Sequence, residues 1–278
     1  MVYFKVILFL SLIFSHIQSY ANEADSACLT LISNNQCLKA LEVCRVDAEL
    51  GDPKAQTALS MLLSGITHGD FRKNYKQSFY WVKQAAEQGY SKAELAIAEM
   101  YMNGVVIPMN AKKAKVWYEQ AAAKENLDGI NGLARQYRYG TGVRKDYEKA
   151  FQYYQQAALE GHTRSQVGLG LSYRDAKGVK KNMVKAYAWL SIAAEKIDKQ
   201  KLKAIEEGYK DERDNLDQTL PQCKHLSRLD QMGDIMAIGY AKKILLDLKQ
   251  RMSIKQINKA KKLAIEIKKE RAFTRSVL

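Results

Sequence analysis

The stretch "YRYGTGVRKDYEKAFQYYQQAALEG", from Tyr137 to Gly161, decides how this chain is read. It offers a glycine pair, basic residues and a tyrosine cluster, the ingredients of a phosphate loop beside an aromatic box. Two neighbours follow the same plan: "YMNGVVIPMNAKKAKVWYEQAAAKE" from Tyr101 to Glu125 and "YRDAKGVKKNMVKAYAWLSIAAEK" from Tyr173 to Lys196. A pattern that recurs builds a fold more readily than it performs one reaction.

Aligned on its Ala-Ala pairs, the chain gives Ala85-Ala86, Ala121-Ala122, Ala157-Ala158 and Ala193-Ala194, each 36 residues after the last. A fixed period of this size signals stacked units. Four to five residues before each pair stands an aromatic: Trp81, Trp117, Tyr153 or Trp189. Further upstream lie Leu59, Ile97, Leu133 and Leu169, each followed by a small residue, Ser60, Ala98, Ala134 or Gly170. Leu63, Tyr101, Tyr137 and Tyr173 come four residues after those apolar positions.

Each unit therefore reads as two helices of about 13 residues, with apolar side chains four apart making one face of the first. The small residue lets the second helix approach, and the aromatic is expected to fill the gap, with Tyr153 inside and Tyr154 its exposed neighbour. Gly140, Gly142 and Gly178 end the first helix and turn the chain. A phosphate cradle would need a strand before it and a helix N-terminus aimed at the ligand. Here a helix ends instead, so Gly140-Thr141-Gly142 is a turn.

Leu133, Tyr137, Gly140, Gly142, Val143, Asp146, Lys149, Ala150, Tyr153, Tyr154, Ala157 and Ala158 together resemble the pattern of the SLR (Sel-one-like repeat) family, a branch of the tetratricopeptide-like solenoids. The resemblance covers Gly51 to Lys196 as four units, 51–88, 89–124, 125–160 and 161–196; "SGITHGDFRKN" lengthens the loop of the first. It implies an all-α, right-handed α-solenoid. Residues 22–50 read as an N-terminal helical cap and 197–240 as a polar helical insertion broken at Pro221. Residues 241–278 read as basic C-terminal capping helices, where Ser253 and Gln256 stand in capping-box positions.

The N-terminus carries Lys5, an apolar run from Val6 to Phe14, and Ser19 and Ala21 at the spacing of a cleavage site, so residues 1–21 read as a signal peptide. A run of about nine apolar residues is too short to span a bilayer, which takes about 20. The expected product begins at Asn22, has no transmembrane segment and is periplasmic or secreted. Four cysteines in such a compartment permit disulfides. Cys37 and Cys44 lie seven residues apart on one predicted helix, about 10.5 Å, and cannot pair with each other there. Cys28 with Cys37 or Cys44 would staple the N-terminal hairpin, and Cys223 could pair with whichever is left. Zinc ligation is the weaker alternative, since no Cys-x-x-Cys or His pair accompanies them.

No catalytic constellation, metal site or cofactor site is legible. His68, His162 and His225 have no ligand partner at helical spacing, and Glu206, Glu207, Asp211 and Glu212 read as a solvated helix face. Tetratricopeptide-like arrays line a groove with their first helices. Carried over position by position, the resemblance assigns a partner-binding groove to Lys92, Leu95, Glu99, Met102, Arg135, Arg138, Tyr139, Arg164, Leu171 and Arg174. Their mixture of arginine, tyrosine and aliphatics suits a peptide.

The expectation is an exported, non-enzymatic adaptor holding a protein segment of acidic and apolar character, in envelope signalling, envelope assembly or host contact. Two alternatives stand beside it. One is a hydrolase of cell-wall or β-lactam substrates. The other is an anionic-surface binder acting through the C-terminal helix, because residues 241–278 hold twelve Lys and Arg against three acids, a net +9 of the chain's formal net charge of +14. Nucleic acid is an unlikely partner.

Overall fold

Helix starts in this chain are set by short polar side chains. Asp52, Asn110, Asn126, Asp146, His162 and Asn182 each precede a helix and accept a backbone N–H from its first turn, satisfying a donor the helix leaves over. The computed structural model describes residues 27–34, 36–64, 75–104, 107–195 and 229–277. Residues 1–21, read above as a signal peptide, and 197–228, the greater part of the expected polar insertion, lie outside them. The described residues fall into two units, one ending at Ala93 and one beginning at Glu94.

The helices are α1 (Ala27–Ser33), α2 (Cys37–Glu49), α3 (Pro53–Leu63), α4 (Tyr75–Glu87), α5 (Ser91–Asn103) and α6 (Ala111–Ala123). Then follow α7 (Leu127–Tyr139), α8 (Tyr147–Leu159), α9 (Thr163–Asp175), α10 (Met183–Ala194), α11 (Leu229–Arg251) and α12 (Ile254–Val277). No strand occurs among the described residues. α11 begins at Leu229, so the expected boundary between residues 240 and 241 falls inside a helix.

In the first unit, α2 packs on α3 and α3 on α4. Cys37, Ala40, Cys44 and Ala48 make one buried face of α2, against Ala55, Ala58, Leu59 and Leu62 of α3. The Cys28–Cys44 disulfide joins α1 to α2, one of the two pairings left open by the sequence. Cys37 is also disulfide-bonded; the expectation for Cys223 falls outside the described residues. Ser60, the small residue after Leu59, lets α4 close in. Its hydroxyl lies 3.0 Å from that of Ser78, which also stands 2.8 Å from the Ser60 carbonyl.

In the second unit each helix from α6 to α10 packs on its neighbours in sequence. Each turn is closed the same way: the amides of Asn110, Asp146 and Asn182 donate to the carbonyls of Tyr101, Tyr137 and Tyr173 at 2.8–2.9 Å. Left-handed backbone recurs with the period, at Gly104, Gly140 and Ala176 and again at Gly89, Glu125 and Gly161. Ala176 and Glu125 hold this conformation without being glycine, a strained choice for an L residue. At Gly178 the turn runs so close to α8 that a Cβ would fall 1.9 Å from the Tyr147 carbonyl oxygen.

The aromatic register differs by one residue from the expectation. The gap beside the small residues is filled by Val82, Tyr118, Tyr154 and Leu190, all nearly fully buried. Trp81, Trp117 and Tyr153 are half-buried, and Trp189 is buried beside Leu190. The cause is geometric: a Cβ at Gly132 or Gly168 would meet the Tyr118 or Tyr154 ring at about 2.5–2.6 Å, so those rings lie flat on bare helix backbone. Tyr153 instead stacks on Tyr137 with ring centroids 5.9 Å apart.

At the C-terminal end α11 packs on α9 and α10, and α12 packs on α10. Ala241, Ile244, Leu248, Met252, Ala260 and Ala264 join the core built around Leu169, Trp189 and Leu190. The Ser253–Gln256 capping box forms, with the Ser253 amide donating to Gln256 Oε1 at 2.9 Å and the Gln256 amide donating to Ser253 Oγ at 3.3 Å.

Two substitutions test this packing in opposite directions. A Cβ at Gly170 would sit 2.7 Å from Leu190 Cγ, so Gly170→Leu is expected to lower unfolding stability by about 1–3 kcal/mol or more. Ala176→Gly relieves a left-handed alanine and is expected to raise it by about 1 kcal/mol. Thermal or urea denaturation of the full chain measures both.

Candidate functional site

The groove positions fall on α5, α7 and α9. Lys92 is exposed and belongs to the first unit. In the second unit, Leu95 and Met102 are half-buried against the cluster of Ala98, Ala114, Tyr118 and Leu133. Glu99 accepts a 2.8 Å hydrogen bond from the Tyr118 hydroxyl, and Met102 Sδ receives the Gln136 amide at 3.4 Å.

Along α7, Arg135 is exposed and makes no ion pair among the described residues. Tyr139 is 64% exposed, and the Arg138 guanidinium sits 5.8 Å from its ring centroid. Tyr154 lies beneath these three residues; burial, chiefly, pushes its hydroxyl up to about 12, and both arginines pull the other way. Burial first, and Glu99 next, hold the Tyr118 hydroxyl far above the ordinary phenol range, with Arg135 and Arg164 acting against them. Both phenols therefore stay protonated at neutral pH, and that of Tyr118 donates to Glu99. Glu99, Arg135, Arg138 and Tyr139 thus share one face.

The remaining arginines are not a free cationic cluster. Arg174 makes a two-pronged contact with Asp175 at 2.6 and 2.9 Å, and Arg138 approaches the same carboxylate at 4.0 Å. Arg164 is bonded to Asp128 and lies 3.8 Å from Asp234 of α11. The backbone of α11 runs so near that a Cβ at Gly233 would stand 3.3 Å from the Arg164 guanidinium. Leu171 packs half-buried against the core that α11 completes. The groove positions on α9 are thus engaged by this chain, and the open part of the face lies on α7.

Sequence reasoning missed the polar chain between α7 and α9. His162 Nε2 lies 2.8 Å from Asp128 Oδ1, and His162 Nδ1 lies 2.8 Å from Ser165 Oγ. The Ser165 amide donates to Nδ1 at 3.3 Å, so Nδ1 is the bare nitrogen and Nε2–H donates to Asp128. The order Asp, His, Ser matches a nucleophilic triad, but Ser165 is fully buried within the first turn of α9, and its hydroxyl also contacts Asn131 Oδ1 at 3.2 Å. No substrate reaches it, and the chain works as a clamp between consecutive first helices. The signal was available in the repeat frame: Asp128 and Arg164 occupy equivalent positions 36 residues apart with opposite charge.

A polar cleft of about 330 Å³ opens where Arg174, Asp175, Lys181 and Met183 face Asp247 and Arg251 of α11. Its arginines are held by its own carboxylates, Arg174 by Asp175 and Arg251 by Asp247 at 2.8 Å. Among the described residues no three His, Cys, Asp or Glu side chains group as a metal site would, and no helix is long and apolar enough to cross a membrane.

A family model of the Sel1 repeat matches residues 53–90, 91–126, 127–162 and 163–198. Among solved structures, the chain is similar to a protective antigen present in uropathogenic Escherichia coli strains that displays an SLR fold. The TM-score is 0.54 and the identity 32%, over 62% of this chain and 36% of that one. It is also similar to a Sel1 repeat protein from Oxalobacter formigenes, with TM-score 0.54 and 28% identity over 62% of this chain and 70% of the other. The chain therefore spans little more than a third of the antigen's length. A search of curated proteins finds no match.

Burial alone would raise the Asp128 carboxyl, but the His162 hydrogen bond and the Arg164 charge outweigh it and hold the group below its ordinary value. A depressed folded value contributes stability above the unfolded value of about 3.9, and that contribution is lost as pH falls through the folded value. Asp128→Asn is therefore expected to cost about 1.5–3 kcal/mol at pH 7 and progressively less below pH 4. Urea unfolding at the two pH values checks it.

Proposed function

Because the chain belongs to the Sel1 repeat family, whose members are typically non-enzymatic scaffolds for protein interactions, we propose that it is an exported adaptor that holds a partner segment on the open face of α7. The observation that carries this reading is the exposed Arg135–Tyr139 pair on α7, beside Glu99 and the half-buried Leu95 and Met102. An unpaired arginine next to a rigid, exposed tyrosine is the composition of an interface hot spot. Arg135 selects for a carboxylate, and Leu95 and Met102 for an aliphatic side chain, so the partner segment is acidic and apolar.

Export is supported by the apolar N-terminal run ending in a small-residue cleavage motif and by the Cys28–Cys44 disulfide, a bond that persists in oxidising compartments. The similarity to a protective antigen supports a role facing outward, in the envelope or at the host. With Ser165 buried and the α9 arginines paired within the chain, the described residues favour binding over hydrolysis.

The test is crosslinking in the native envelope, followed by identification of the captured protein. Arg135→Glu with Tyr139→Ala changes two exposed side chains and is expected to shift unfolding stability by no more than about 0.5 kcal/mol, while reducing capture at least tenfold. Capture that survives this pair, yet disappears when the lysines of α12 are replaced, assigns the working surface to the C-terminal helix instead. Protein recovered from the same fraction is expected to begin at Asn22, read by N-terminal sequencing.

A further inference from the structure

Three second helices of the second unit begin among cations. Lys112 and Lys113 open α6. Arg144, Lys145 and Lys149 surround the start of α8, and Lys180, Lys181 and Lys185 that of α10. Within the windows 108–113, 144–149 and 180–185 these eight face two carboxylates, Asp146 and Glu148. All eight are exposed, and none makes an ion pair among the described residues.

This placement opposes elementary helix electrostatics. The N-terminus of a helix carries partial positive charge and favours acidic side chains in its first turn. The first turns of α6 and α10 contain none. The helix ends gain nothing from cations there, and since Asn110, Asp146 and Asn182 already cap them, it is from the exposed cationic side chains that a bound anion gains.

The three starts form one edge. A Cβ at Gly142 would fall 2.6 Å from the backbone of Ala111, and Gly178 meets the Tyr147 carbonyl, so each turn lies on the helix start of the preceding unit. Lys145 and Lys177, from consecutive turns, share the Tyr147 ring at 5.9 and 4.9 Å. The cations are also held in place. Lys113, Lys149 and Lys185 stand over Tyr101, Tyr137 and Tyr173 at 5.6, 5.4 and 5.3 Å, one contact per unit.

The form of the row selects among polyanions. Single-stranded nucleic acid is held by bases stacking on open aromatic faces, and here those faces carry lysines. A bilayer surface is favoured by exposed apolar side chains beside the charges, and in the three windows Met109 is the one exposed large apolar residue among those described. We propose that this edge binds a linear acidic polysaccharide, whose regularly spaced anionic groups meet the cations of successive units. It is a second surface, independent of the α7 face.

The experiment uses the full chain and four probes: heparin fragments of graded length, polyglucuronate, phosphatidylglycerol vesicles and poly(dT). The expected result is glycan binding that strengthens with fragment length and weakens as salt screens exposed charge. Lys112→Glu with Arg144→Glu and Lys180→Glu is expected to weaken it at least tenfold. The same triple variant should melt no lower than the parent, since carboxylates at helix starts complement the helix dipole. Lys261→Glu with Lys262→Glu on α12 should leave glycan binding unchanged. The proposal is overturned if the triple variant binds glycan as the parent does, if the α12 pair removes binding, or if the parent binds neither glycan. Sensitivity of vesicle or poly(dT) binding alone to the triple variant gives the edge to that polyanion and equally overturns it.

Discussion

A tyrosine ring lying flat on a helical glycine sets the spacing on which the repeats depend. Tyr118 covers Gly132 and Tyr154 covers Gly168, with no room for a single added carbon. The dense contact replaces side-chain interdigitation by backbone-to-ring packing, which is intolerant of volume change. It also fixes where the phenol hydroxyls emerge, and so places Tyr118 against Glu99 and Tyr154 beneath Arg138 and Tyr139. A packing constraint in the core thereby arranges the polar face above it.

That face is closed progressively along the second unit. On α9 each arginine has found a carboxylate within the chain, Arg174 by a neighbour in sequence and Arg164 across to α7 and α11. The His162 cap ties α9 to α7 a second time. The surviving exposed arginine and tyrosine on α7 stand out because their neighbours are spent on cohesion. The opposite arrangement holds at the turn edge, where the cations meet rings instead of carboxylates.

The helix pairs, their 36-residue period and the role of the Gly-rich turns were legible because periodicity reports backbone geometry directly. Gly140 ends its helix in the left-handed conformation, as a turn glycine should. The aromatic register was not legible. In a Tyr-Tyr or Trp-Tyr pair both residues are bulky, and only the glycine opposite, Gly132 or Gly168, decides which one enters. The groove positions fell on exposed or half-buried residues, but their pairing did not show, since Asp128–Arg164 and Arg164–Asp234 join residues 36 and 70 apart. A reading of single helices lacks those neighbours. The disulfide choice between Cys37 and Cys44, which share one face of α2, rested on which end of that face meets Cys28, a tertiary fact.

The docking of α11 on α9 and α10 separates two kinds of assembly within one chain. From α6 to α10, partners are adjacent in sequence, so loop closure is cheap and such structure forms quickly. α11 begins 35 residues after α10 ends, and its burial must await a surface already made by the fourth repeat. Until α11 arrives, Leu169, Trp189 and Leu190 border an uncovered end. On a ribosome the repeats are therefore complete before their own cover has been synthesised, and the end of the fourth repeat stays bare until the chain is long enough to return to it.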